Sequence, residues 1–229
     1  MTRGFFADVL TSRPFLWERM VRSNSPNMSG GACAQAVPCA QEASALLGGG
    51  APSFLVWLGE RSPARRHART EQNDFWDYVE ESRRLALLDA ETLARLCLVA
   101  GVAFHAIDIA HVLRREQVQE LRRAIGETLY TYALYRGQYQ VGTVRAVFAE
   151  LHTSLPLEER CRLHGSMAPR LVAARWPEEL AARFLPVLPA LPEGTDMPAL
   201  DEAETRAIWH TLKKLLLREV APSWAPCFE

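Results

Sequence analysis

The chain has 229 residues, of which 48% are hydrophobic and 23% are charged, and its formal net charge is −1. A chain of this length can bury a sizeable core, and a net charge near zero excludes a strong global field that would draw it to nucleic acid or membrane. The five cysteines are irregularly spaced, which favours reduced thiols in a cytosolic protein over a disulfide framework. We expect no signal peptide, because Asp8, Arg13 and Pro14 interrupt what would be its apolar region. We expect no membrane span, because no apolar run approaches about 18 residues.

The first predicted element is an aromatic-rich arm at residues 4–22. Pro14 divides it into two short pieces, because proline cannot donate a backbone hydrogen bond and clashes with the preceding turn. Two interpretations of Phe5, Phe6 and Trp17 stay open. These side chains pack on the core, as large apolar residues usually do, or they anchor a partner protein. We therefore carry all three as candidate partner-binding residues.

Residues 23–53 are rich in Ser, Asn, Gly, Ala and Pro and predict a mobile segment, of which residues 29–53 are the glycine-alanine part. Its glycines lack the lysine and the Ser/Thr of a phosphate-binding loop. A basic cluster follows, with four arginines in nine residues: Arg61, Arg65, Arg66 and Arg69. The cluster is either a solvated loop or a docking patch for an acidic partner. No stacking aromatic lies within it, so nucleic-acid binding is not expected.

The segment from Arg84 to Gly137 predicts a pair of central helices. Apolar residues recur at spacings of three and four from Leu93 to Ile107, and the other positions there are apolar as well, which indicates a buried helix. Asp89 is the expected N-cap, since its carboxylate can accept the free N–H groups of the first turn. An amphipathic helix follows and ends at Gly137.

The C-terminal half predicts further helices and one extended connector. Gly165 and Pro169 predict a kink or break in their helix, and three prolines indicate the connector at residues 184–194. The predicted helices lie at 143–152, 157–176, from 177 onward and 200–220. Since no alternating strand pattern appears, we predict an all-α fold. Residues 1–70 form an N-terminal arm with the mobile segment and the arginine cluster, and residues 71–229 form a single helical core domain.

The search for chemistry predicts no catalytic, cofactor-binding or metal-binding residue. His105, Asp108 and His111 lie three apart on one predicted helix, but such spacings drift around the helix and point the two histidines apart. Cys161 and His164 are also three apart, without a second pair at metal-ligand spacing. We therefore predict a structural role for these side chains and a protein that is not an enzyme.

The segment from Leu93 to Gly137 resembles the core of the YscK family (SctK in unified naming) of type III secretion systems. Its leucine-rich helix ends in a glycine and a histidine, a short helix carries a basic residue, and a Glu-Thr-Leu step follows. The matching residues are Gly101, His105, Arg114, Glu127, Thr128 and Leu129. The C-terminal stretch IWHTLKKLLLREVAPSWAPCF resembles the family's ending. Segment 29–53 and the arginine cluster have no counterpart in the family.

The resemblance implies a non-enzymatic cytosolic adaptor of the sorting platform, at the cytosolic face of the inner membrane. Such an adaptor links the cytoplasmic domain of the inner-membrane ring protein (SctD-like) to the pod protein (SctQ-like), and through the pod to the stator and ATPase. It is needed for protein secretion and virulence, without inserting into the membrane. The alternatives are a helical enzyme and a nucleic-acid-binding regulator.

Overall fold

The computed structural model describes residues 3–24 and 75–228. Every regular element in these two ranges is helical, and no strand occurs in them, which confirms the predicted all-α fold. Segment 29–53, the arginine cluster and the predicted boundary between residues 70 and 71 lie outside the described residues. Within the described ranges, no helix has both the length and the apolar character needed to cross a membrane.

The ten α-helices within residues 3–24 and 75–228 are numbered here in chain order. They are α1 (Arg3–Ser12), α2 (Pro14–Ser23), α3 (Ala90–Phe104), α4 (Ala106–Ala110), α5 (Arg115–Ile125), α6 (Glu127–Tyr135), α7 (Val144–Ala149), α8 (Leu157–Ala173), α9 (Glu178–Phe184) and α10 (Glu202–Leu215). Shorter 3₁₀ segments are Glu81–Leu87, Gly137–Tyr139, Leu185–Val187 and Pro222–Cys227, and a π-helical turn, Leu216–Val220, extends α10. Pro14 begins α2, where its missing N–H does no harm, so the predicted division of the arm is confirmed.

The chain divides into two compact units, Met1–Leu87 with Ala225–Glu229, and Leu88–Trp224. In the first unit, α2 buries an apolar face on which the Trp17 ring stacks against Trp76, with ring centroids 5.8 Å apart. The Asn24 side-chain amide donates to the Phe75 carbonyl at 2.8 Å and accepts from the Phe75 N–H at 3.0 Å. This paired bond ties the end of α2 to a segment 51 residues further along the chain.

The second unit is built on a close crossing of α3 and α8. A Cβ atom placed on Gly101 would lie 1.7 Å from the Cys161 carbonyl oxygen, and one on Gly165 would lie 1.9 Å from the Cys97 carbonyl oxygen. The two helices therefore meet backbone to backbone. Of the kink or break predicted at Gly165 and Pro169, the break is wrong, because α8 runs through both positions. Gly165 is required for the close approach of the helices.

Each helix of the predicted central pair is divided into two in the structure. The first helix ends at Phe104, and α4 begins after His105, whose φ of −102° and ψ of 14° are not helical. The second is two helices, α5 and α6, separated by Gly126 at φ 86°. A positive φ of this size is open to glycine and strained for other residues, which explains why the amphipathic pattern does not continue as one helix.

Side-chain caps fix the starts of α3 and α10. Asp89 accepts a hydrogen bond from the Thr92 N–H at 2.8 Å, which confirms the predicted N-cap. Asp201 accepts from the Glu204 N–H at 2.7 Å, while the Glu204 carboxylate accepts from the Asp201 N–H at 3.0 Å. This reciprocal arrangement is a capping box, which satisfies two N–H groups that the first turn leaves free.

Candidate functional site

A line of hydrogen-bonded side chains runs through the second unit. His152 Nδ1 lies 3.1 Å from His164 Nε2, His164 Nδ1 lies 2.8 Å from His105 Nε2, and His105 Nδ1 lies 3.0 Å from Asp108 Oδ2. The Arg145 guanidinium lies 3.7 Å from the other Asp108 oxygen. We call the set His152, His164, His105 and Asp108 the histidine line.

The crossing of α3 and α8 assembles the histidine line. His105 lies one turn after Gly101, and His164 lies one residue before Gly165, so the close approach of the two glycines brings the imidazoles together. His105 stands where α3 ends, and Asp108 in the following short helix lies within its reach. His152 has φ 52°, a left-handed conformation that is uncommon for a residue with a side chain. The local backbone is thus adapted to place this ring.

Burial keeps the two inner histidines neutral. His164 has no solvent exposure, and burial, together with the neighbouring His105 and His152, lowers its pKa to about 3. Burial also lowers the pKa of His105, against the opposing effect of its hydrogen bond to Asp108. The Phe148 ring stacks on His164 with centroids 5.4 Å apart and supplies an apolar wall.

Neutral rings give the histidine line one direction. A carboxylate only accepts hydrogen bonds, so His105 donates to Asp108 through Nδ1–H and accepts at Nε2. His164 must then donate to His105 through Nδ1–H and accept at Nε2, and His152 must donate to His164 through Nδ1–H. This assignment leaves Nε2 of His152 as the ring nitrogen at the end of the line.

That end of the line borders a cavity of about 700 Å³, which lies between α3, α8 and the connector after α9. Its wall is mainly apolar. The lining residues include Ala94, Cys97, Leu98, His152, Leu163, Ser166, Pro189 and Pro192. Ser166 is only 5% exposed, and its hydroxyl has no hydrogen-bond partner within residues 3–24 and 75–228.

Comparisons with family models, with curated proteins and with solved structures found no match to this chain. The similarity to the YscK family therefore stays a prediction, and function is inferred from the residues of this chain.

Of His105, Asp108 and His111, which lie three apart in the sequence, two come together in the structure. His105 and Asp108 form a direct contact, whereas the exposed His111 contributes no side chain to the line. His164 joins the line through its contact with His105, which lies 59 residues earlier in the chain. Cys161, three residues before His164, is not part of the line, and burial raises the pKa of its thiol to about 12. A thiol with so high a pKa is a poor nucleophile and metal ligand. Among the described residues, no group of three or more His, Cys, Asp and Glu side chains could hold a metal ion.

Sequence reasoning missed His152 altogether. It lies in a turn before α8 and is 12 residues from its partner His164, so no helical spacing links the two. Its left-handed backbone conformation cannot be read from the residue type, because histidine is only mildly enriched there.

The predicted partner-binding residues are only partly described. Trp17 is 4% exposed and packs in the first unit, while Phe5 is half-buried beside the Arg84 guanidinium, which lies 6.0 Å from its ring centroid. The Phe6 side chain lies outside the described part of the chain, as do Arg61, Arg65, Arg66 and Arg69. Their role in partner binding stays a prediction.

Large apolar side chains are exposed at the end of the segment that resembles the YscK family and just after it. Tyr135 is 71% exposed and Tyr139 is 76% exposed, one at the end of α6 and the other in the next 3₁₀ turn. We call these two residues the tyrosine pair. The turn beside them is held by Gln140. Its side-chain amide donates to Glu219 at 2.7 Å, and its backbone carbonyl accepts from the Lys214 ammonium at 3.0 Å. The tyrosine pair is thus presented on a fixed backbone.

Proposed function

We propose that this chain is a non-enzymatic adaptor of a type III secretion sorting platform. It works in the cytoplasm at the cytosolic face of the inner membrane. It links the cytoplasmic domain of the inner-membrane ring protein to the pod protein, and through the pod to the stator and ATPase. The observation that carries the proposal is the exposed tyrosine pair, with Tyr135 at the end of the family-like segment and Tyr139 two residues beyond it.

The exposure of the tyrosine pair supports a protein-binding role. Tyrosine is enriched among the residues that dominate binding energy at interfaces, because its ring buries a large apolar area and its hydroxyl can still bond. Nearby, Arg136 pairs with Glu219, and the Tyr132 hydroxyl donates to Gln140 at 3.0 Å. A surface fixed in this way loses little conformational freedom when a partner binds.

The test is co-purification from cells that contain an active type III system, with the ring protein and the pod protein detected separately. We expect both proteins to co-purify with the wild-type chain. The double variant Tyr135→Ala/Tyr139→Ala should lose one of them and retain the other. The control Val187→Ala, at another exposed apolar residue, should retain both. If neither protein co-purifies with the wild-type chain, the adaptor role is refuted.

A further inference from the structure

The cavity beside His152 has the size and lining of a small-molecule site. Ligand pockets usually span roughly 300–1,000 Å³ and are mainly apolar, with a few polar groups that orient the ligand. This cavity measures about 700 Å³, and its apolar wall includes Leu98 of α3, Leu163 of α8 and Pro189 of the connector. It therefore suits a molecule with an apolar body.

Ser166 supplies the first polar group aimed at such a molecule. It is only 5% exposed, and it lines the cavity. Its hydroxyl finds no partner among the residues that the structure describes, whereas Thr205 and Thr211, on α10, both bond to backbone carbonyls. The Ser166 hydroxyl is not sealed from solvent, so a ligand in the cavity can bond to it in place of water.

His152 supplies the second polar group. Its Nδ1–H donates to His164, so Nε2 is the ring nitrogen left for a ligand in the cavity that His152 lines. Nε2 of a neutral imidazole accepts hydrogen bonds, so a ligand that brings a donor can bond to it.

The charges around the cavity select the kind of donor. Three carboxylates line it, those of Glu159, Glu193 and Asp196, against the single guanidinium of Arg162. Arg162 also donates to the Ala124 carbonyl at 2.9 Å, which ties part of its guanidinium to the protein. The excess of negative charge favours a cationic head group over an anionic one.

We propose that this cavity binds a small organic amine. Its ammonium group donates to His152 Nε2 and Ser166 Oγ, and its hydrocarbon body packs between Leu98, Leu163 and Pro189. The proposal does not depend on the adaptor function.

The test uses three probes that share a six-carbon body and differ in the head group: hexylamine, 1-hexanol and hexanoate. Their binding to the full chain is measured by calorimetry at neutral pH. Because hydrogen bonds from charged donors are stronger than those from neutral ones, we expect hexylamine to bind about tenfold more tightly than hexanol. Hexanoate should bind most weakly. Binding of hexanoate equal to that of hexylamine, or no saturable binding of hexylamine, would overturn the proposal.

Two variants locate the bound amine. Ser166→Ala should weaken hexylamine binding several-fold without lowering the stability of the free protein, because the hydroxyl has no protein partner to lose. Ala94→Phe fills the cavity and should abolish binding, whereas Arg95→Phe, at an exposed neighbour that does not line it, should bind as the wild type does. Unchanged affinity in both Ser166→Ala and Ala94→Phe would place the amine elsewhere and overturn the proposal.

Discussion

Gly101 and Gly165 face each other where α3 crosses α8, and each lies against a backbone carbonyl of the opposite helix. A Cβ atom on either residue would fall 1.7 Å or 1.9 Å from that oxygen, far inside contact distance. The crossing is reciprocal, since Cys161 and Cys97 supply the two oxygens. This contact sets the spacing of the two helices and thereby the distance between His105 and His164.

The first prediction concerns that crossing. Gly101→Ala and Gly165→Ala should each lower the free energy of unfolding by about 3 kcal/mol or more, at or above the usual penalty for overpacking a core. Chemical denaturation provides the measurement. Gly194→Ala is the matched control, because its φ of 73° is strained for alanine but no atom lies within 4 Å of the added Cβ. That variant should lose only about 1–2 kcal/mol. Equal losses in all three variants would contradict the close crossing.

The second prediction concerns the core of α3. Leu96 has no solvent exposure, so Leu96→Ala should destabilise the protein by about 2–5 kcal/mol, the range for truncating a buried leucine. Leu113 is 89% exposed, and Leu113→Ala should change stability by less than about 0.5 kcal/mol. Both values come from denaturant unfolding at neutral pH. A loss below about 0.5 kcal/mol for Leu96→Ala would show that α3 is not part of the core.

The third prediction concerns pH and the histidine line. The pKa of His164 lies near 3 in the folded protein against 6.5 as its ordinary value, and the pKa of His105 is also lowered. Below pH 6.5 these histidines therefore bind protons in the unfolded chain but stay neutral in the folded chain. Stability is fully present above about pH 6.5 and is lost as pH falls toward 3. One such histidine contributes about 1.4 kcal/mol per pH unit in that window.

Denaturant unfolding at several pH values between 4 and 7 tests this prediction. His164→Gln removes one of the two groups and should reduce the slope of stability against pH. His111→Gln, at an exposed residue outside the line, should leave the slope as in the wild type. A wild-type slope that His164→Gln does not change would show that His164 is not held neutral by burial.

The fourth prediction concerns the arginine cluster, which rests on the sequence alone. Replacing Arg61, Arg65, Arg66 and Arg69 together by Ser or Gln should leave the fold intact and slow association with one partner at low salt. The difference should shrink as salt approaches about 0.5 M, where the Debye length is about 4–5 Å. Binding kinetics with each partner across a salt series provide the measurement. Identical association rates at low salt would leave the cluster as a solvated loop.

The sequence predicts the features of this fold that depend on neighbouring residues. The N-cap at Asp89 follows from local hydrogen-bonding capacity, and the acidic residues at the start of α10 suit the positive end of its macrodipole. The predicted break at Gly165 and Pro169 does not occur, because tertiary packing decides the outcome here over the intrinsic helix propensity of the two residues. The sequence shows a glycine at position 126, but it does not show the positive φ of Gly126 that separates α5 from α6.

The histidine line shows the same limit at the candidate site. His105 and Asp108 are three residues apart, so their contact is open to a spacing argument. His164 is 59 residues from His105, and only the crossing at Gly101 and Gly165 brings the rings together. Nothing in the sequence indicates that two glycines so far apart form one contact. The cavity beside Ser166 likewise depends on where the connector after α9 packs.

The adaptor role predicts that one copy of the chain binds two different proteins at once. The direct measurement mixes the purified chain with the cytoplasmic domain of the ring protein and with the pod protein, and determines the mass of the complex by light scattering after size exclusion. We expect one complex that contains all three proteins, and a loss of one partner from it in the Tyr135→Ala/Tyr139→Ala variant. Binding of neither protein, or of the two only in competition, would contradict the adaptor role.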